Sequence, residues 1–342
     1  MALLGVGNSY SVDMDQMDLG ILTTGTRVTA TSTLYGVSVN GETTYFEGTG
    51  FTYNSLGIPN GGMVTHIQDQ FGGQVVYDLT GFSVPATSFV AWAYAGDTQS
   101  AKLAVLSGAD TFFGGIGDDL LRSYGGSDSI AGGIGNDTLD AGNGSDTVSG
   151  GPGNDVILAA GGGSTYLRGD DGNDSITGGS TFDDINGNAG NDTEHGGLGD
   201  DWVVGGKDND LIFGDAGDDI VYGNLGNDTC SGGDGIDWVR GGQGDDSISG
   251  GTGNDYMSGD LGSDTISGGL GADVFHTWGA AGLDRVIDFS MAEGDRVQLD
   301  PGTTYTLSQV GADTVINMTG GAQMVLVNVS MATLPSGWIF GA

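Results

Sequence analysis

Aspartates repeated about every nine residues are the side chains of this chain best placed to do chemistry. Asp119, Asp128, Asp137, Asp146, Asp155, Asp174, Asp183, Asp192, Asp201, Asp210, Asp219, Asp228, Asp237, Asp246, Asp255, Asp264 and Asp273 each stand sixth in a glycine-rich unit. Glycines at the first, second and fourth places allow left-handed backbone angles and close approach, which frees carbonyl oxygens to converge on the carboxylate. Carbonyls and carboxylates without histidine or thiolate describe a hard-cation site of about six to eight oxygens, which suits calcium better than magnesium or zinc. One aspartate in such a turn is an ordinary Asx turn, but seventeen in register make a row of ion sites. Asp110, in the looser preceding unit VLSGADTFF, extends the row.

The elements that must hold these carboxylates follow from the same period. Eighteen units start between residues 114 and 268 and end at His276, each nine residues long except the ten-residue unit 159–168. Each reads as a turn and a short strand whose eighth place is apolar, from Leu121, Ile130 and Leu139 to Ile266 and Phe275. A strand with one inward residue cannot bury its face alone, whereas stacked parallel copies bury a continuous stripe. Composition agrees with a repeat architecture, with 70 glycines and 5 prolines in 342 residues. The 45 Asp and Glu against 8 Lys and Arg give a formal charge of -37. That charge repels phosphate backbones and anionic lipid, so nucleic acid is excluded as a partner. It also opposes collapse, so a cation must bind for the chain to fold.

Units such as GGIGNDTLD at 132 and GGQGDDSIS at 241 resemble the GGxGxDxUx nonapeptide of RTX proteins, across residues 114 to 276. The resemblance implies an all-β chain built on a right-handed parallel beta roll, with two nonapeptides per turn and calcium ions between turns. The sixth-place aspartates would be the ligands, and nine coils would span roughly 40 Å at the spacing of stacked strands. Departures mark weak places. Unit 159–168 has Ser164 in place of the carboxylate, Asp208 replaces a fourth-place glycine, and Glu194 takes a core place. Weakened ion sites and a bulge or bend are therefore expected near 159–195. Cys230, also at an eighth place, is expected to pack as a small apolar group. Fifth-place acids such as Asp118, Asp200, Asp218 and Asp245 read as solvated neighbours rather than ligands.

The reading divides the chain into an N-terminal β-rich domain (1–104), the roll (105–276) and a C-terminal β cap (277–342). LDRVIDFSMAEGDRVQLD is similar to the segment closing the roll in serralysin-like proteins, with Val286, Asp288, Phe289, Asp295, Val297 and Leu299 in matching places. That similarity implies an uncleaved type I secretion signal in roughly the last 60 residues, a type I exporter as partner and an extracellular destination. No Sec signal peptide or membrane span is expected. In residues 1–104, Val-Asn-Gly-Glu suggests a hairpin, and PATSFVAWAYAGDTQSAKLAVLSG could be a helix. The aromatics from Tyr35 to Tyr94 either line a carbohydrate groove or form a small β core.

Catalytic patterns are missing from the sequence: there is no HExxH or GxSxG, and the lone cysteine sits at a core place. The chain is therefore expected not to be an enzyme. Seventh-place residues face outward and stack at intervals of 18, bringing Trp202, Ile220, Trp238 and Tyr256 together, with Tyr222 beside them. Either a flanking segment folds over this strip or it is an intermolecular contact. The reading that results is a secreted calcium-binding protein with a structural or adhesive role at the cell surface or in matrix. Two rivals are a self-assembling layer or filament protein and a carbohydrate-binding or carbohydrate-acting module.

Overall fold

The computed structural model describes residues 3–6, 26–30, 34–39, 42–53, 59–71, 74–85, 106–159 and 161–341. The chain divides into two compact units, Met1–Gly162 and Gly163–Ala342. The division falls inside the irregular ten-residue repeat.

In the second unit two parallel ladders grow in steps of one coil. Thr165–Asp171, Asp183–Ala189, Trp202–Lys207, Ile220–Leu225, Trp238–Gln243, Tyr256–Leu261 and Val274–Thr277 pair in that order. The other ladder runs through Ser175–Thr177, Thr193–Leu198, Leu211–Ala216, Thr229–Asp234, Ser247–Thr252 and Thr265–Leu270. The fold is thus a parallel β-roll, built because each three-residue inward-outward stretch has only the next coil to bury against. The first unit holds the same pattern in Thr111–Ile116, Ser129–Ile134 and Thr147–Pro152, with Leu120–Arg122, Thr138–Asp140 and Val156–Leu158 opposite. There Leu3–Val6 pairs in parallel with Thr111–Ile116 and antiparallel with Gln74–Pro85. It joins the roll to an antiparallel meander, Thr26–Ala30, Leu34–Val39, Glu42–Tyr53, Pro59–Phe71 and Gln74–Pro85, that covers the ladder's open edge. Val39 faces Glu42, as the expected hairpin requires. The expected helix and the N-terminal aromatic side chains lie outside the described residues.

Eighth-place residues form the core. Leu121, Leu139, Ile157, Ile176, Val203, Ile212, Val221, Val239, Ile266 and Phe275 are all fully buried. Cys230 packs among them, and burial pushes its thiol pKa well up, which makes it inert. The ten-residue repeat uses its extra residue to restore register. Thr165, not Ser164, stands opposite Asp183, and Leu167 fills the core opposite Ile185.

Both ladders run on past His276. Leu283–Val286 extends one and is followed by Gln323–Leu326, while Arg296–Leu299 extends the other and is followed by Ile339–Phe340. Tyr305–Val310, Asp313–Met318 and Gln323–Leu326 then form an antiparallel closure. Phe289 lies between Phe275 (5.9 Å) and Trp338 (6.1 Å), sealing the end of the core.

The turns explain the glycine content at two places. Fourth-place glycines such as Gly253 (φ 151°) would set a Cβ on the carbonyl oxygen of the preceding coil, here Gly235. Second-place residues need positive φ but have more room, and Asn188, Asn224, Asp170, Asp215 and Asp260 serve there with φ of 67–78°. Gly253→Ala should therefore lower stability in saturating calcium by at least about 1–3 kcal/mol, and Asn224→Gly by less than about 1 kcal/mol. Thermal melts of the two variants check this, and equal losses would contradict the account of the turn.

Candidate metal centres

All eighteen candidate aspartates, Asp110 included, are buried, none more than 3% exposed. Their two carboxylate oxygens have different surroundings. Oδ1 accepts the backbone N–H of the aspartate one coil earlier, for example Asp201 to Asp219 at 2.7 Å, Asp219 to Asp237 at 2.9 Å and Asp228 to Asp246 at 2.8 Å. These bonds run along each turn as a ladder parallel to the roll axis. Oδ2 is different. In Asp128, Asp137, Asp146, Asp192, Asp201, Asp210, Asp219, Asp228, Asp237, Asp246, Asp255, Asp264 and Asp273 it is buried and accepts no hydrogen bond from the described residues. Asp119, Asp155 and Asp174 stand in the same rows.

An unsatisfied buried carboxylate oxygen is costly, so one repeated thirteen times in register points to a missing positive partner. The first-place glycine keeps the space beside that oxygen clear of side chains. A Cβ built on Gly196 would lie 2.7 Å from Asp201 Oδ2 and 2.5 Å from the Gly214 carbonyl oxygen. On Gly214 it would lie 2.5 Å from Asp219 Oδ2 and 2.6 Å from the Gly232 carbonyl oxygen. Two acceptors from successive coils thus flank one small space that only glycine leaves open. Among the described residues no three His, Cys, Asp or Glu side chains converge on one point. The donor set is therefore a carboxylate completed by backbone carbonyls, which fits a hard divalent cation.

Asp183 departs from the pattern. Its Oδ1 accepts both the N–H (2.9 Å) and the hydroxyl (2.7 Å) of Thr165, and its Oδ2 accepts the Gly179 N–H at 2.6 Å. Protein donors reach both oxygens of this carboxylate, which leaves it less free for an ion than the Oδ2 atoms above. Fifth-place side chains have a task beyond solvation, since Asp118, Asp200, Asp218 and Asp245 each accept a backbone N–H from the next coil. Two carboxylates belong to the rows beyond the repeat's last regular unit. Asp295 Oδ1 accepts the Asp273 N–H at 3.1 Å, and Asp284, fully buried, faces Asp264. Each opens a D-R-V triplet, Asp284-Arg285-Val286 and Asp295-Arg296-Val297, which repeats places six to eight and was the available signal. Asp288 serves the closure instead, accepting N–H groups of Gly268 and Gly269.

Without a cation, burial raises these carboxyl pKa values against the lowering effect of the backbone N–H bond. Asp146, Asp219, Asp237, Asp255 and Asp273 reach about 6, Asp201 and Asp246 about 7, and Asp210 about 8. Neighbouring aspartates add to the rise. Because the folded values exceed the ordinary 3.8, the contribution favouring the metal-free fold is complete below about pH 4. It is lost as pH rises through 6 to 8, where the carboxylates ionise and a cation can replace the proton.

The model of the RTX calcium-binding nonapeptide repeat (4 copies) matches residues 105–139, 123–157, 159–194, 195–230, 231–266 and 258–282. No curated protein matches the sequence. Among solved structures, the AlgE6R3 subunit of the Azotobacter vinelandii mannuronan C5-epimerase aligns at 24% identity over 39% of this chain and 79% of its own, with a TM-score of 0.22. The extracellular lipase LipA of Serratia marcescens aligns at 14% identity over 99% and 85%, with a TM-score of 0.28.

Two outcomes follow from the geometry. Asp219→Asn should reduce the number of bound ions in a direct calcium assay, whereas Asp183→Asn should leave it unchanged; equal losses would contradict the distinction. Calcium affinity, measured by chelator competition, should fall steeply between pH 8 and 6, and a flat profile would show that the buried carboxylates are not the ligands.

Proposed function

The chain belongs to the RTX calcium-binding nonapeptide-repeat family, and from that premise we propose that it is a secreted protein which folds on meeting extracellular calcium and then acts through surface contacts. Calcium is its cofactor, held in multiple copies. The observation that carries the reading is the double row of buried Oδ2 atoms, which tie the fold to the ion. At low cytosolic calcium these carboxylates and a net charge of -37 oppose collapse, and an unfolded chain is what a type I exporter passes. Binding energy outside then becomes folding energy. Among the described residues no helix is long and apolar enough to cross a membrane. We keep the division into residues 1–104, 105–276 and 277–342 as an N-terminal β-rich domain, roll and cap, the last carrying the export signal.

A structural or adhesive role is supported by the strip on one face of the second unit. Trp202 (44%), Ile220 (37%) and Trp238 (52%) are exposed, and Trp238 stacks on the half-buried Tyr256 at 5.0 Å. Among the described residues no flanking segment folds over them, which supports an intermolecular contact. Half-buried Tyr222 lies beside it under the Arg240 guanidinium, 5.6 Å from the ring centre. We assign no catalytic activity, since the carboxylates that dominate the chain are committed to the ion rows.

A groove on the same face favours the carbohydrate reading as the second choice. It encloses about 820 Å³ and is lined by Asn186, Asn188, Asn224, Gln243, Arg240 and Trp278, among others. Amide and guanidinium groups beside an aromatic wall suit hydroxyl-rich ligands.

Multi-angle light scattering at saturating calcium tests the contact surface. The wild-type chain should exceed the mass of one copy, and Trp202→Ser with Trp238→Ser should return it to one copy without loss of strand signal. A wild-type monomer would remove the self-assembly reading and turn attention to glycan binding in the groove.

A further inference from the structure

Glu194 is the one charged side chain among the described eighth-place residues. It stands between Ile176 and Ile212 in the ladder and is fully buried. Neither Oε1 nor Oε2 meets a side-chain donor among the described residues, and the Gly187 backbone N–H lies nearby. The ion pairs of Arg122, Arg168 and Arg240 go to Asp140, Asp184 and Asp260, so none of them neutralises it. A bare carboxylate in such a place is strongly disfavoured, whereas an apolar residue would suit the slot. The side chain points to a specific neighbour. Its Oε1 and Asp192 Oδ2 border the same space beside Gly187, since a Cβ built there would meet both oxygens. A cation held between the two carboxylates would satisfy both oxygens.

We propose that Glu194 is a calcium ligand, joining Asp192 in a site that opens from the turn into the core of the roll. The proposal rests on the calcium-bound reading of the repeat and adds to it a second side-chain carboxylate from the same unit. Site charge and enclosure both raise affinity for a hard cation, so this site fills first when calcium is added.

The test is a calcium titration by chelator competition on the full-length wild-type chain, Glu194→Gln and Glu194→Ile at neutral pH. Infrared spectra of the calcium-saturated proteins accompany it. Both variants should weaken the tightest binding step by on the order of tenfold, the scale on which ligand charge tunes such sites, while the later steps stay. The saturated wild-type protein should show no buried carboxylic-acid band that Glu194→Ile removes. An unchanged tight step in either variant, or such a band in the saturated wild type, overturns the proposal and leaves Glu194 a protonated core residue. A wild-type chain without any calcium step overturns the underlying reading instead, so the two failures are distinct.

Discussion

Repulsion between carboxylates stacked one strand apart is the constraint on which the rest of the structure depends. Parallel coils place successive sixth-place aspartates at about 4.8 Å intervals, where two ionised groups repel by on the order of 3–4 kcal/mol at an effective dielectric near 20. Hydrogen bonds from the preceding coil recover part of this for Oδ1, as from Asp210 to Asp228 at 2.9 Å. For Oδ2 of Asp201, Asp210, Asp219, Asp228 and their regular counterparts no donor among the described residues does so. The core cannot compensate alone, because each coil contributes only one inward apolar residue per strand. A divalent ion held by the carboxylates and carbonyls of successive coils would turn the repulsive row into an element that joins them.

The division of labour within each carboxylate then accounts for the repeated geometry of the turn. Oδ1 sets the register through the backbone, and Oδ2 reaches the space left by the first-place glycine. Fourth-place glycines accept the tight coil-to-coil approach, and the fifth-place side chains add an outer row of bonds such as Asn227 Oδ1 to the Asp245 N–H at 2.8 Å. The result is one long-range period of 18 residues enforced at several points of every turn, which makes the fold cooperative along its axis while still allowing a single unit such as 159–168 to depart from the rule.

The parallel roll, its buried eighth places and the two carboxylate rows were legible in the sequence because one nonapeptide determines all three. Other features were not, and the reasons are local. The extra residue in unit 159–168 hid that Thr165 takes the carboxylate's place, and its hydroxyl is what leaves Asp183 fully hydrogen-bonded. Asp284 and Asp295 escaped because insertions stretch the interval from Asp264 and Asp273 beyond the regular 18 residues, although the pairing survives. Fifth-place acids are exposed as read, but a spacing pattern cannot show which amide each side chain reaches. Glu194 was visible as an exception, but its direction toward Asp192 required coordinates.

The most direct test of the claim that calcium is part of the fold is far-UV circular dichroism of the purified chain in excess chelator and then in calcium at neutral pH. The account predicts little strand signal from residues 111–299 in chelator and its cooperative appearance as calcium is added. The same strand signal in both conditions would contradict it, showing that the carboxylate rows are tolerated without the ion.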